Sequence, residues 1–174
     1  MFLETSRLIL RKFREEDFDD FCDYAMDEEM SRMMGRALIR TRADARLAFS
    51  WLKNREERGY ALVLKSTGRV IGNLTVTQVP RFEHALRRLD GFQGRTLSFA
   101  ISRHYRQMGL MEEAVRAVIA ALFDEGMDFV QCGSFDFNTA SAALQKKIGF
   151  EYLTTEQLDM NGKVVTAIQR ILWK

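Results

Sequence analysis

Apolar residues in this chain fall into short runs and longer helical repeats, and the switches between the two rhythms divide it into elements. Leu8, Ile9 and Leu10, held between Arg7 and Arg11, make a strand-like run. Glu15-Glu16-Asp17 opens a helical pattern in which Phe18, Phe21, Cys22 and Ala25 share a face, and an acidic start suits the positive end of a helix dipole. A polar stretch around Gly35 follows. Thr41 is placed to cap a second helix running to about Arg58, with Leu47, Ala48 and Trp51 on one side and Gly59 as its stop. Residues 60–65, a turn at Ser66-Thr67-Gly68 and residues 70–79 read as a hairpin. The stretch from Pro80 to Gly94 keeps no clear period and carries Arg81, Arg87 and Arg88. Residues 96–102 are the next strand, with Leu97, Phe99 and Ile101 on one face. From Gly109 to Gly126, Leu110, Ala114, Val118 and Leu122 repeat at helical spacing. A strand over 129–135, a short helix over 138–147 closed by Gly149, and strands over 150–154 and 164–173 complete the chain, the last two joined in part by Asn161-Gly162. This order predicts a mixed α/β sheet with helices as connectors.

At 174 residues the chain suits one domain, spanning 1–174. Its charges are of both signs and sum to only +2, which argues against nucleic acid as a partner, since phosphate binding needs a concentrated basic face. Cys22 and Cys132 are far apart, the first residues carry an early Glu4 and no apolar core, and no run approaches a membrane span, so the expected setting is a reduced cytoplasm with no membrane partner. His84 and His104 have no companion at ligand spacing, so no metal is expected. Phe13, Phe18, Phe21 and Trp51 are read as core, Trp51 on the strength of its helical spacing, and Cys132 as an inert buried thiol.

The chemistry concentrates in two stretches. The strand over 96–102 runs through His104-Tyr105-Arg106-Gln107-Met108 into a helix at Gly109. A helix start offers unpaired N–H groups and a positive dipole end, glycine lets backbone approach a phosphate, and Arg106 can add charge-assisted hydrogen bonds. The second stretch is Asn138-Thr139-Ala140-Ser141, with Lys147-Ile148-Gly149-Phe150 closing its helix. Asn138 is a natural N-cap, and Ser141 falls in the first turn beside it.

Together the two stretches resemble the acetyl-CoA motifs of the GCN5-related N-acetyltransferase superfamily. Arg106 and Gly109 fit its phosphate loop, Arg/Gln-x-x-Gly-x-Gly/Ala; Gln107 stands where a second Gly is common, and Met111 replaces the usual small residue, departures that narrow or reshape the pyrophosphate cradle. Asn138, Ser141, Lys147, Gly149 and Phe150 match the later motif in full. The opening Glu4-Thr5-Ser6-Arg7-Leu8-Ile9-Leu10-Arg11, followed by Glu15-Glu16-Asp17-Phe18, is similar to the ribosomal-protein N-alpha-acetyltransferase branch.

The resemblance implies an α/β (α+β) fold with a mostly antiparallel sheet splayed between its fourth and fifth strands and flanked by helices. It implies acetyl-CoA as donor. Phe99, Ala100 and Ile101 would follow the pantetheine arm, and Arg106, Gln107, Met108, Gly109, Leu110 and Met111 would hold the pyrophosphate. Asn138 and Ser141 would face the arm near the sulfur, with a strand N–H near Phe99 or Ala100 as oxyanion donor. Many relatives place a Tyr seven residues after the Asn as acid; here that position is Gln145, which leaves Ser141 as the catalytic candidate for donating to the sulfur. The carboxylate often found in the fourth strand is missing around Thr96 and Ser98, and Glu83, His84 and Asp90 in the preceding loop are the substitutes in view.

The expected acceptor is a protein or peptide N-terminal amine, with a polyamine, amino acid or antibiotic amine as the alternative within the same chemistry. A catalytically weak acyl-CoA-binding sensor or interaction module is the alternative of a different class. A homodimer is left open. Gly109→Glu, which adds bulk and negative charge at a phosphate site, is expected to weaken CoA binding; an unchanged calorimetric affinity would contradict the placement of the loop.

Overall fold

Most elements form where the two rhythms place them, and the exceptions have local causes. The computed structural model describes residues 2–54, 58–79, 89–160 and 162–174. In chain order the elements are β1 (Leu3–Glu4), β2 (Leu8–Arg11), α1 (Phe18–Ala25), α2 (Glu28–Met34), α3 (Arg42–Lys53), β3 (Arg58–Leu64), β4 (Val70–Gln78), β5 (Gly94–Ile101), α4 (Leu110–Asp124), β6 (Phe129–Phe135), α5 (Thr139–Ile148), β7 (Glu151–Met160) and β8 (Lys163–Trp173). The strands follow the order β1-β2-β3-β4-β5-β6-β8-β7. Of the pairs with a described register, β5–β6 is parallel and the others are antiparallel. A parallel pair needs a long crossover, and α4 supplies it.

Four departures stand out. Glu15–Asp17 is a 3-10 turn, held by the Arg14 N–H donating to Asp17 Oδ2 at 2.7 Å, so α1 begins only at Phe18. The sequence reading has no helix at α2, which is too short to show a period. Its ends are nevertheless signalled: Asp27 Oδ1 accepts the Met30 N–H at 2.8 Å, and Gly35 turns left-handed at φ 64°. Next, α3 is capped as expected by Thr41, whose hydroxyl accepts the Asp44 N–H at 3.1 Å, but it ends at Lys53 and Gly59 lies inside β3. Its buried stripe is Ala45, Phe49 and Leu52, while Leu47 and Trp51 are 74% and 58% exposed, which corrects the reading of Trp51 as core. Finally, β7 continues six residues past the predicted Thr154, as an edge strand whose polar, exposed positions conceal it. Residues 80–88, including Arg81, Glu83, His84, Arg87 and Arg88, lie outside the described residues, as does Asn161.

By its contacts the chain divides into two compact units, residues 1–76 with 99–118, and 77–98 with 119–174. In the first unit an aromatic cluster forms the core. Phe49 meets Phe13, Phe18 and Phe21 at centroid distances of 5.6, 5.3 and 5.4 Å, edge-on to the first two, geometry favoured by ring quadrupoles. Beside it the Arg11 guanidinium donates two bonds to the buried Asp17 carboxylate, at 2.7 and 2.8 Å. In the second unit β6 and β8 share a ladder from Phe129↔Trp173 to Phe135↔Ala167, and β8 pairs onward with β7 in a longer one. Gly94 is required where β5 crosses the Phe129 ring, since a Cβ would strike it.

No helix among the described residues is long and apolar enough to cross a membrane, and no cluster there could hold a metal. Gly72 of β4 lies where an added Cβ would collide with the Ala100 carbonyl, backbone against backbone. Gly72→Ala is therefore expected to destabilise by about 1–3 kcal/mol; a urea midpoint equal to that of the parent chain would refute this packing.

Candidate functional site

The strand-to-helix junction of the first unit is built from backbone. Ser102 N–H donates to Ile71 O at 2.8 Å, which ties the end of β5 to β4. A 3-10 turn over Arg103–Tyr105 follows, and the chain then passes through two left-handed residues, Gln107 at φ 60° and Gly109 at φ 72°. Gln107 thus holds a conformation that normally favours glycine, at the position where relatives commonly have one. Gln107, Met108 and Gly109 are exposed. The first N–H groups of α4, from Leu110 on, have no acceptor within the helix, and fifteen residues of dipole stand behind them. Leu110 and Met111 are buried, so what they can offer a ligand is backbone rather than side chain. These features suit an anion: helix-start amides without intrahelical acceptors, no carboxylate on the loop itself, and glycine where φ demands it.

Two bonds brace this junction, and the sequence reading had assigned neither. Arg7 Nη1 donates to the Met108 carbonyl at 2.8 Å, and Arg7 Nε donates to Glu113 Oε2 at 2.7 Å. Glu113 Oε1 accepts from the Thr5 hydroxyl, the Ser6 hydroxyl and the Arg7 N–H at 2.6, 3.0 and 2.8 Å. Desolvation alone would raise the Glu113 pKa, but these donors hold it down at about 2. The Thr-Ser-Arg of the opening motif is thus a carboxylate clamp on the first turn of α4. Arg106 donates to Glu29 Oε2 of α2 at 3.0 Å, a partner hidden from the sequence because α2 was not foreseen. Phe99, Ala100 and Ile101 lead directly into this loop, with Ala100 buried and its neighbours half-buried.

In the second unit the parallel ladder between β5 and β6 runs only from Gly94↔Phe129 to Leu97↔Cys132, although both strands continue. The next residue of β6, Gly133, gives its carbonyl to the Gln145 amide at 3.1 Å. Asn138 caps α5, its Oδ1 accepting the Ser141 N–H at 3.1 Å. Ser141 Oγ accepts from Gln145 Nε2 at 3.0 Å. Gln145 is fully buried, and its Oε1 accepts from the buried Arg170 at 2.9 Å; Arg170 Nη1 also reaches the Ser134 hydroxyl at 3.0 Å. Cys132 is buried and its thiol is pushed up to about 12, as expected of an inert residue.

The opposite face of the same strands carries a carboxylate. Register and alternation place Thr96, Gln131, Gly133, Gln169 and Glu156 on one face. Glu156 Oε1 and Thr96 Oγ1 are both buried without a hydrogen-bond partner. Burial raises the Glu156 pKa, partly offset by a hydrogen bond from the Gln169 side chain, which lies over Gly133 where a Cβ would otherwise sit. Glu156 escapes the sequence reading because that reading ends the strand at Thr154, and β7 runs on to Met160. The alternation Thr154, Glu156, Leu158 was the available signal. Of the loop candidates for this role, only Asp90 is described, and it is exposed; His104 lies exposed in the 3-10 turn.

The family model described as an acetyltransferase (GNAT) domain matches residues 7–151. Among solved structures, a GNAT-family acetyltransferase from Bacillus anthracis is similar at 18% identity and TM-score 0.83, covering 99% of this chain and 98% of that one. A GCN5-related N-acetyltransferase from Brucella melitensis is 13% identical at TM-score 0.83, covering 99% and 78%. A ribosomal-protein-S5-alanine acetyltransferase from Vibrio fischeri is 16% identical at TM-score 0.72, covering 99% and 96%. No curated protein matches in sequence.

The Glu113 clamp has a definite acid signature. Its folded pKa of about 2 lies below the unfolded carboxylate value of about 4.3, so its contribution is complete above the unfolded value and is lost as pH falls toward the folded one. The melting-temperature difference between the parent chain and Glu113→Gln should shrink steadily from about pH 5 to about pH 2; a constant difference across that window would exclude the clamp.

Proposed function

The chain belongs to the GNAT acetyltransferase family, and from that premise we propose that it moves the acetyl group of acetyl-CoA onto the α-amine of a protein or peptide N-terminus. N-acetyl transfer is the chemistry of the family, and the structural likeness to acetyltransferases spans the chain. The similarity to a ribosomal-protein-alanine acetyltransferase and the Glu4–Arg11 opening favour a terminal amine. In the first unit, the amides of Arg106 to Met111 are the proposed phosphate holders, with Phe99 to Ile101 leading into them. In the second, Asn138 orders the first turn of α5 and Ser141 is the proposed donor to sulfur.

Acetyl-CoA, when bound, supplies an activated thioester. The neutral amine forms the new C–N bond with its lone pair as the C–S bond breaks, and the C–S bonding pair leaves on sulfur as thiolate. The amine must then give up a proton. At pH 7 about a tenth of an α-amine with pKa near 8 is already neutral, against about one part in 2,500 of a lysine side chain. A modest base therefore suffices for a terminus. Glu156 is that proposed base, taking the proton on Oε1, and its orphaned buried oxygen is the observation that carries the reading. A carboxylate without a hydrogen-bond donor on one oxygen keeps a lone pair for an incoming N–H, and its raised pKa brings it closer to the amine's.

Thiol release from acetyl-CoA, followed with peptides bearing free N-termini, N-blocked lysine peptides, spermidine and aminoglycosides, tests the acceptor. The free-terminus peptides should show the highest kcat/KM; a polyamine or antibiotic ahead of them would establish the small-molecule reading instead. Glu156→Gln should lower kcat about a hundredfold or more and leave acetyl-CoA affinity unchanged. Because burial raises the pKa, activity should fall on acidification before ordinary carboxylates protonate. Undiminished turnover in Glu156→Gln would remove it as base.

A further inference from the structure

Arg170 is 6% exposed, and none of the described residues offers it a carboxylate. Its neighbours by strand register are Cys132 on β6 and Tyr152 on β7, neither an anion here, and its described bonds go to the neutral oxygens of Ser134 and Gln145. A buried cation without a counter-charge is costly, so a fold that keeps one invites the question of which negative charge it meets.

The bonding leaves little freedom. Gln145 Oε1 faces the guanidinium, which can only donate, so the amide orientation is fixed. Nε2 then spends its two hydrogens on Gly133 O and Ser141 Oγ. Ser141 Oγ is therefore an acceptor toward Gln145, and its own proton must point elsewhere. That proton has no acceptor among the described residues. The run from Arg170 through the Gln145 amide to the Ser141 hydroxyl has all its dipoles aligned, and each bond polarises the next.

We infer that Arg170 and Gln145 are positioning residues that aim the Ser141 O–H and strengthen it as a donor toward the sulfur on which negative charge appears as the C–S bond breaks. This rests on the reading above that Ser141 faces that sulfur. No proton moves along the run. Gln145 does not stand in for an acid; it passes the field of a buried cation to a hydroxyl that is a weak donor by itself. Charge held ready in a dry site is worth more than charge gathered during the reaction. The missing countercharge of Arg170 is then the transient thiolate, met through two hydrogen bonds.

The test needs no acceptor. The thiolate absorbance of CoA bound to the protein is titrated for the parent chain, Ser141→Ala, Gln145→Glu, Arg170→Lys and Arg170→Met. Bound CoA should ionise at lower pH than free CoA in the parent chain. Gln145→Glu can still accept from Arg170, which supports the fold, but it turns the donor facing Ser141 into an acceptor; the bound thiol pKa should rise by about one pH unit or more. Arg170→Met should act in the same direction, and Arg170→Lys should restore part of the effect. In turnover these changes should lower kcat with the KM for acetyl-CoA held. CoA that does not bind the parent chain would remove the donor assignment itself. A bound thiol insensitive to Ser141→Ala would remove Ser141 from the sulfur. A thiol that responds to Ser141→Ala but titrates as in the parent chain in folded Gln145→Glu and Arg170→Lys, as judged by circular dichroism, would overturn this inference alone.

Discussion

One interruption in backbone pairing governs the second unit: the parallel ladder of β5 and β6 stops at Leu97↔Cys132 while both strands run on. Strand backbone that leaves a ladder must find other partners, and Ser98 and Gly133, just past this one, are both exposed, where water or side chains serve. At Gly133 side chains do. Its carbonyl accepts from Gln145 on one side, and the Gln169 side chain occupies the space a Cβ would fill. A residue larger than glycine would evict Gln169, and with it the hydrogen bond to Glu156. The two polar groupings beside the end of the ladder thus meet at a single residue.

Strand alternation then sorts the chemistry. Cys132, Ser134 and Arg170 share one face of the β6–β8 ladder, and Gly133 and Gln169 share the other, joined across β7 by Glu156. The proposed donor grouping of Ser141, Gln145 and Arg170 and the proposed acceptor, Glu156, are therefore associated with opposite faces of the ladder. Direct attack on a thioester has the same polarity, with a proton leaving the nucleophile and negative charge appearing on the leaving atom. Opposite faces also keep Arg170 from pairing with Glu156. Such a pair would neutralise the donor's field and depress the carboxylate's pKa.

Most of the sheet and the long connector α4 were legible from the chain, because α4 repeats apolar residues over enough turns to show a period. The failures were local. α2 has seven residues and announces itself only by Asp27 and Gly35. The burying face of α3 was misread because Leu47, Ala48 and Trp51 form an apolar stripe as plausible as Ala45, Phe49 and Leu52; the choice is settled by the Phe13, Phe18 and Phe21 rings, which no pattern along α3 reveals. The resemblance to a known family supplied the loop and the Asn138–Ser141 pair. It could not supply what departs from the family pattern. Gln145 in the usual Tyr position read as a loss, because the significance of an amide there depends on Arg170, twenty-five residues away in sequence. Glu156 was hidden by a strand end placed too early.

The first unit reaches the same economy by other means. Among the described residues the cations at its loop each have an anionic neighbour: Arg103 has Asp27, Arg106 has Glu29, and Arg7 has Glu113. In the proposed phosphate site the amides and dipole of α4 then supplement cations already partly neutralised. The Glu113 clamp bears on that balance. A carboxylate in the first turn of a helix would ordinarily compete for those amides or repel an anion. Here four donors from Thr5, Ser6 and Arg7 draw it away and saturate it. The opening Thr-Ser-Arg thereby keeps the helix tip available while fastening the start of the chain to it. Two segments more than a hundred residues apart in sequence are joined there by Arg7.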